Sequence, residues 1–502
     1  MTEQLAGRRG SLWAATGRPT QYAGLSEAID VDVAVIGGGI AGLTAALALK
    51  RAGQAVAVLE AARVGTGVTG NTTGKVTSLH RLAYTELAGR HGPEAARIYG
   101  QANEAAIEHV AVTVANEGID CGFRWVSNYT YAESERTLAL VREEAALAGR
   151  FGLPASFTTE VPLPFRVNGA VRFDNQAQLH ALRYVQGLAR AVDGDGSFVF
   201  EDSPATGFRD GSPAVVDTER GAVRAKEIIV ATNMPFGDKG IFAERCYLHR
   251  SYIVAARSDA APLDSTLLSV DEPMRSILTI DVDGVSYVLA GGEGHPASEQ
   301  VDSAERYRRL SGFARDRLGA GDIAFRWSTQ DAMPADGLPY VGRLSPELRH
   351  VHVITGLRKW GLTNGTAAGL ILRDTLCGTR NPWAAVFDST RAVRARGATP
   401  AAAGDVAPPS PEPGATVPIR SDLVRGSGRV VDVDGAKTAV YVSLAGKVSA
   451  VSAVCTHLGC TVEFNPADVT WDCPCHGSRF STDGTVIQGP ATRNLGSGQA
   501  PA

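Results

Sequence analysis

The chain has 502 residues, room for two or three domains, and its 44% apolar and 20% charged residues are the balance of an ordinary globular protein. With 49 Lys and Arg against 53 Asp and Glu the formal charge is −4, which gives no electrostatic reason to expect nucleic acid or an anionic membrane as a partner. No stretch approaches the ~18 apolar residues of a membrane-crossing helix, so no transmembrane segment is expected.

Residues 1–30 read as an N-terminal extension. Arg8-Arg9 is a twin arginine of the kind that can mark export of a folded, cofactor-loaded protein, but the apolar run from Leu12 breaks at Gly17-Arg18-Pro19, too short for a signal sequence. A cytoplasmic location is the expectation. Residues 31–36 then predict a buried parallel strand running into Gly37-Gly38-Gly39-Ile40-Ala41-Gly42 and a helix from Leu43 to Ala52. A second strand, Ala55 to Leu59, ends in Glu60. In that setting Gly37, Gly39 and Gly42 allow a tight turn, close approach of a pyrophosphate and close helix–strand packing, and the helix N-terminus offers free N–H groups. Glu60 is placed to bond ribose hydroxyls. NAD and FAD fit this fingerprint equally.

A second glycine and hydroxyl loop follows, Gly65-Thr-Gly-Val-Thr-Gly70-Asn71-Thr72-Thr73-Gly74-Lys75. Together the two loops resemble the FAD-dependent oxidoreductases related to D-amino-acid oxidase, glycine oxidase and sarcosine oxidase. The resemblance implies FAD, approached by Thr72 and Thr73 near the pyrophosphate. Asn71 stands where some relatives attach flavin through histidine, and His80 is not a substitute, so the flavin is expected to be non-covalent.

Helical periodicity covers about 93–118 and 133–150, where His91 and His109 read as solvated helix residues. A further helix is expected over 174–193 with Asp174 as N-cap. Short strands run from Ser197 to Val230 and close on Ala231-Thr232-Asn233, and the resemblance brings Thr232 to the adenosine half of FAD. Residues 240–330 predict a strand-rich unit, with strands at Ser251–Ala256, Arg275–Ile280 and Val285–Ala290, and the resemblance makes it the α+β substrate domain. Gly291-Gly292-Glu-Gly294-His295-Pro296-Ala297 has the outline of a second dinucleotide turn, but Pro296 and the polar residues beyond it do not supply the apolar helix such a turn needs. A polar strand end facing the flavin is the better reading, and it makes His295 a candidate to reach substrate.

Residues 327–342 resemble the segment by which this flavoprotein class returns to its FAD domain. A strand over His350–Thr355, a turn holding Lys359, Gly361, Thr363 and Asn364, and a helix from Thr366 to Leu376 then predict an electropositive socket, placed by the resemblance at the pyrimidine end of the flavin. Lys359 is the candidate cation near the ring, where positive charge favours reduced flavin. The FAD-dependent part thus spans 31–395, its FAD-binding segments about 31–90, 174–235 and 330–380.

Residues 396–418, rich in Pro, Ala and Gly, read as a linker. From 419 to 500 short alternating strands predict an all-β domain. It carries Cys455-Thr-His457-Leu-Gly-Cys460 and Cys473-Pro-Cys475-His476-Gly-Ser478-Arg-Phe480. Two Cys-and-His couples suit an iron pair with mixed thiolate and imidazole ligation. They also suit tetrahedral zinc, which leaves two cysteines without a role. The two loops in this order resemble the Rieske [2Fe–2S] family. The resemblance makes Cys455, His457, Cys473 and His476 the ligands, Cys460 and Cys475 a disulfide, and Ser478 a donor to a cluster sulfur. Gly489-Pro490-Ala491 resembles the loop that covers the cluster on a third side. Phe480 replaces the tyrosine of high-potential members and cannot donate to a ligand sulfur, so a potential below the top of the Rieske range is expected. Cys121, Cys246 and Cys377 are isolated and read as packing residues.

The expected architecture is therefore α/β: a Rossmann-type FAD-binding domain with an α+β substrate domain, plus a C-terminal all-β Rieske domain. A flavin takes electrons in pairs and a [2Fe–2S] cluster carries one, so the fusion reads as a two-to-one converter. The resemblance implies oxidation of an amine-like C–N bond, with electrons leaving through the cluster to an external acceptor. Two alternatives stay open: a partner that reduces the cluster so that FAD reduces a substrate, and a non-catalytic electron carrier. A Rieske oxygenase would need a further iron triad, and no histidine follows His476.

Overall fold

The computed structural model describes residues 5–393 and 424–498 apart from 239, 261 and 434. The chain divides into two compact units, Met1–Thr390 and Arg391–Ala502. The linker expected over 396–418 lies outside the described residues.

In the first unit the apolar strand Ala28–Ile36 is flanked in parallel by Val56–Leu59 on one side and Ala222–Val230 on the other. Phe198–Phe200 and Val351–Thr355 extend the parallel set, and Tyr340–Arg343 closes one edge antiparallel. The runs Val33–Ile36 and Val56–Leu59 are buried at every residue, as a parallel sheet covered on both faces requires. The helices Ile40–Arg51 and Gly361–Leu376 follow the carboxyl ends of two of these strands and pack side by side, with Ile40 against Gly361 and Gly365. Their N-termini therefore open at the same end of the sheet.

A second, mostly antiparallel sheet stands over that end. Its central strands are Ile323–Pro334, Cys246–Arg257, Val285–Pro296, Arg275–Val282 and Ser265–Ser269, followed by Arg124–Ala132, Gly169–Gln178 and Lys75–Val76. Alternate residues of Cys246–Arg257 face opposite ways. Tyr252 meets Ser303 and Tyr307 of the helix Ser303–Leu318, while Ser251 and Ile253 point to the other face.

Several expectations are corrected here. The helix expected over 174–193 is split: Gly169–Gln178 is a strand paired with Arg124–Ala132, and the helix starts at Ala181, where His180 Nδ1 accepts from Arg183 N at 3.2 Å. Asp174 is no cap but accepts from Ser127 and Arg172. Local helix propensity yields to strand pairing in the second sheet, which thus recruits residues well before 240. Gly291–Pro296 continues its strand, with a bulge that sets Glu293 and Gly294 opposite Ser251, and makes no dinucleotide turn. The described part of the N-terminal segment is built into the unit: Arg8-Arg9 pairs in parallel with Phe325-Arg326. His91 and His109 are each half-buried rather than fully solvated. His91 Nε2 bonds Asp336 O at 2.7 Å, and burial pushes His109 down to about 4.

The second unit has two small sheets among its described residues. Ser427–Val433, Ala436–Val442 and Val448–Ser452 form one, and Glu463–Asn465, Thr470–Asp472, Arg479–Phe480 and Val486–Gln488 the other. Ala439, Val451, Trp471 and Phe480 form its core together with Cys455 and Cys473. Among the described residues no helix is long and apolar enough to cross a membrane.

Candidate functional site

The glycine turn after Ile36 is shaped by close backbone contacts. Gly37 has φ 115°, and a Cβ there would lie 2.6 Å from Ala231 O. A Cβ at Gly42 would fall inside the envelope of Gly37 O, so the helix can seat this close only without one. Glu60 Oε2 accepts from Gly38 N at 2.8 Å and Oε1 from Ala62 N at 3.0 Å. Burial raises the Glu60 carboxyl, opposed by these N–H donors. The loop 65–75 lies over the turn: Gly65 N donates to Gly38 O at 3.0 Å, and Thr69 Oγ1 accepts from Ile40 N at 3.1 Å. Next to Gly39 the one close protein atom is Thr69 Oγ1, 3.2 Å from where a Cβ would stand. That leaves a cradle at a helix N-terminus with the shape and dipole that suit a pyrophosphate.

Three residues expected at the cofactor make hydrogen bonds to protein atoms through their side chains. Thr232 Oγ1 donates to Met234 O at 2.8 Å, Thr363 Oγ1 to Thr77 O at 2.9 Å, and Asn364 Nδ2 to Tyr99 OH at 3.1 Å. Thr363 and Asn364 lie within the helix Gly361–Leu376, which begins a turn earlier than expected; their backbone N–H groups donate to Trp360 O at 3.3 and 2.9 Å, so it is Gly361 and Leu362 that offer backbone N–H groups at the helix start. Thr73 lays its methyl toward Gly291, 3.7 Å from a Cβ there. His80 is buried, stacked on Trp360 at 4.5 Å and bonded to Tyr99 OH and Thr77 O.

On the sheet face that carries Ile253 and Gly291, paired strands bring together His249 and Asp331, and Ser251 and Thr329. Lys359 Nζ reaches this row and donates to Ser251 Oγ at 2.8 Å. Two successive left-handed residues, Arg358 (φ 62°) and Lys359 (φ 69°), aim it there, and Arg358 is held by Gly337 O and Glu86. Such backbone is strained for non-glycine residues and concentrates at functional sites. Burial lowers the Lys359 ammonium to about 8, partly opposed by Asp331, and raises Asp331 to about 6, partly opposed by Lys359. Burial, aided by the Lys359 charge, holds His249 down to about 3, so it is neutral near pH 7. Among the described residues His249 Nδ1 and Thr329 Oγ1 are buried without a hydrogen-bond partner. Sequence inspection missed this row because its members are far apart in the chain; strand alternation on 246–257 is the signal that finds it.

His295, by contrast, is on the opposite face. Its Nε2 bonds Tyr252 OH at 3.0 Å and its Nδ1 faces Pro296 O at 2.8 Å, beneath the helix Ser303–Leu318. The bulge at Glu293–Gly294 turns it away from Ser251 and Lys359.

In the second unit two loops repeat one backbone pattern. Cys455 N donates to Cys460 O and Gly459 N returns to Cys455 O; Cys473 N donates to Ser478 O and Gly477 N returns to Cys473 O. Left-handed Gly459 (φ 80°) and Gly477 (φ 72°) close the two turns. A Cys460–Cys475 disulfide joins the loops. The Cys455 thiol hydrogen-bonds that of Cys473 and is lowered to about 6 by it, while Cys473 is raised. Ser478 Oγ also reaches Cys455 and accepts from Ala491 N at 3.0 Å. The rings of His457 and His476 meet edge to face at 4.9 Å, and among the described residues His476 Nδ1 is buried without a partner. Two thiols and two imidazoles presented from paired loops fit a Rieske cluster.

The profile described as FAD dependent oxidoreductase matches residues 32–375, and the Rieske [2Fe-2S] domain matches residues 416–498. The chain belongs to the FAD dependent oxidoreductase family. A Bacillus subtilis (strain 168) protein named as a Rieske 2Fe-2S iron-sulfur protein, YhfW, is 32% identical over 487 residues, covering 94% of each chain. The gamma-glutamylputrescine oxidoreductase of Escherichia coli (strain K12) is 27% identical over 373 residues, 70% of this chain and 85% of its own. Glycine oxidase from Geobacillus kaustophilus superposes with a TM-score of 0.62 at 22% identity, over 73% of this chain and 100% of its own, which shows a shared fold. The cofactors of this oxidoreductase are accordingly FAD and a [2Fe–2S] cluster.

Proposed function

We propose that this oxidoreductase oxidises a carbon–nitrogen bond in an amine or amino-acid-like substrate and passes the electrons through its Rieske cluster to an external one-electron acceptor. The observation that carries the reading is the row His249, Ser251, Thr329, Asp331 and Lys359, on the sheet face where Gly291 meets Thr73 of the flavin loop. A cation, a carboxylate and a neutral imidazole with perturbed protonation, set beside unsatisfied polar atoms, suit a substrate site and have no use in a simple electron carrier. When bound, FAD supplies a two-electron oxidant and the cluster a one-electron exit.

In this reading Gly37, Gly39, Gly42 and Glu60 hold the pyrophosphate and ribose, with Thr69 and the backbone near Thr72, Thr73 and Thr232 beside them. The first turn of Gly361–Leu376, which includes Thr363 and Asn364, lies at the ring and presents the backbone N–H groups of Gly361 and Leu362. Lys359 and Asp331 orient a substrate that carries both signs of charge. Neutral His249 accepts a hydrogen bond at Nδ1 from the substrate nitrogen and so helps to position it. Cys455 and Cys473 hold one iron, His457 and His476 the other. The cytoplasmic location is part of the same proposal, and cell fractionation tests it.

One relative is named for gamma-glutamylputrescine and one fold neighbour for glycine, so these are the first substrates to try. Anaerobic titration of the purified holoprotein with such amines should bleach the flavin. Inert amines, together with reduction of the cluster by a protein donor, would overturn the direction proposed.

A further inference from the structure

We propose that residues Arg8–Thr16 form a clasp that fixes the flavin loop in its cofactor-binding shape, so that FAD retention depends on Ser11, Trp13 and Trp327. The proposal rests on the reading that FAD lies against the loop 65–75. Three successive carbonyls of that loop each accept a hydrogen bond from a distant side chain. Ser11 Oγ donates to Gly70 O at 2.6 Å, Trp327 Nε1 to Asn71 O at 2.9 Å, and Trp13 Nε1 to Thr72 O at 2.6 Å.

The loop has little regular structure of its own. Its short helical turn, Val68–Asn71, is closed by a long bond from Thr72 N to Thr69 O, 3.5 Å. Buried backbone carbonyls need partners, and here they come from outside the loop. One register supplies them. Arg8-Arg9 pairs with Phe325-Arg326, Gly10 N donates to Arg326 O at 3.0 Å, and then come Ser11, the N-cap of the short helix Leu12–Thr16, and Trp327 on the partner strand. Ser11, Leu12 and Trp13 are all buried, and the Trp13 ring lies 3.1 Å from where a Cβ at left-handed Gly74 would stand. Thr16 Oγ1 meets His180 Nε2 at 2.9 Å and Thr16 O accepts from Arg183 at 2.9 Å, which anchors the clasp's far end. On its opposite side the loop touches the dinucleotide helix through Thr69 and Ile40 N. The loop is thus held between the clasp and the glycine turn, and where the clasp sits determines how the loop meets the cofactor cradle.

The test uses the full-length protein. Trp13→Phe and Trp327→Phe keep a ring and lose one N–H; Ser11→Ala loses one hydroxyl and Ser11→Thr keeps it. FAD is titrated into each apoprotein and its fluorescence quenching followed, with thermal melting recorded for apo and holo forms. A lost hydrogen bond of about 1 kcal/mol predicts roughly five- to tenfold weaker FAD binding in the first three variants, with Ser11→Thr close to wild type. The Rieske EPR signal should not change. If a Trp variant fails to fold, the Ser11 pair carries the same comparison. Unchanged FAD affinity, with apo and holo melting lowered alike, would show packing alone and overturn the clasp. A wild-type apoprotein that takes up no FAD at all would instead overturn the flavin reading and the clasp with it.

Discussion

Lys359→Met should stabilise the folded chain and slow its chemistry at once. In the fold the Lys359 ammonium sits at about 8 against an ordinary 10.5, chiefly through burial. That difference of about 2.5 units, at 1.36 kcal/mol each, corresponds to roughly 3 kcal/mol of penalty on the charged form, and partial solvent access reduces it to about 1–3 kcal/mol. The sign follows from proton binding. Between about pH 8 and 10.5 the unfolded chain holds the proton and the folded chain does not, so stability rises with pH through this window. Below about pH 8 both states are charged and the whole penalty is present. Methionine keeps the volume and removes the charge, so at pH 7 the melting temperature should rise by roughly 2–6 °C, a gain that shrinks as pH passes 8 towards 10.5. Anaerobic stopped-flow with a reducing amine should show flavin bleaching slowed by at least about tenfold, since the cation that favours reduced flavin is gone. A variant that melts lower at pH 7 and bleaches at the wild-type rate would refute the reasoning. Lys359 would then be a structural anchor to Ser251.

Asp331→Asn should remove an acid limb near pH 6 from the flavin-reduction profile, because the buried carboxyl loses its charge as pH falls through about 6; an unaltered limb would exclude it as the group responsible. Gly42→Ala drives a methyl into Gly37 O and should destabilise the flavin unit by about 1–3 kcal/mol with lost FAD, measured by melting and flavin release. Arg479 is shared by Asp468 at 2.8 Å and Asp472 at 3.2 Å, all three largely buried; Arg479→Met should destabilise the Rieske unit by roughly 3–5 kcal/mol while leaving flavin content unchanged, read by the EPR signal on heating.

The parts of this protein most legible in its sequence are those whose chemistry is local. The turn Gly37–Gly42 and the paired loops Cys455–Cys460 and Cys473–Ser478 need particular residues at fixed spacing, because backbone geometry and donor identity are set within a few positions. The row His249, Ser251, Thr329, Asp331 and Lys359 assembles across three segments, and only strand pairing brings it together. His295 looked suitable because it ends an apolar strand, but a two-residue bulge, invisible to periodicity, reverses the face it presents. The 174–193 segment misled for a related reason: its Ala- and Gln-rich opening satisfies helix propensity, while the partner strand Arg124–Ala132 claims it. The stretch Arg8–Thr16 carried no motif beyond twin arginines, and the role proposed for it depends on hydrogen bonds from Ser11 and Trp13 to carbonyls 59 positions away.

The central claim is that electrons enter at the flavin and leave through the cluster. Rapid-freeze EPR after anaerobic mixing of the oxidised holoprotein with an amine that bleaches its flavin tests this most directly. The account predicts a Rieske signal that grows after bleaching begins and reaches up to one electron per chain. A flavin that is fully bleached beside a cluster that stays oxidised would contradict it.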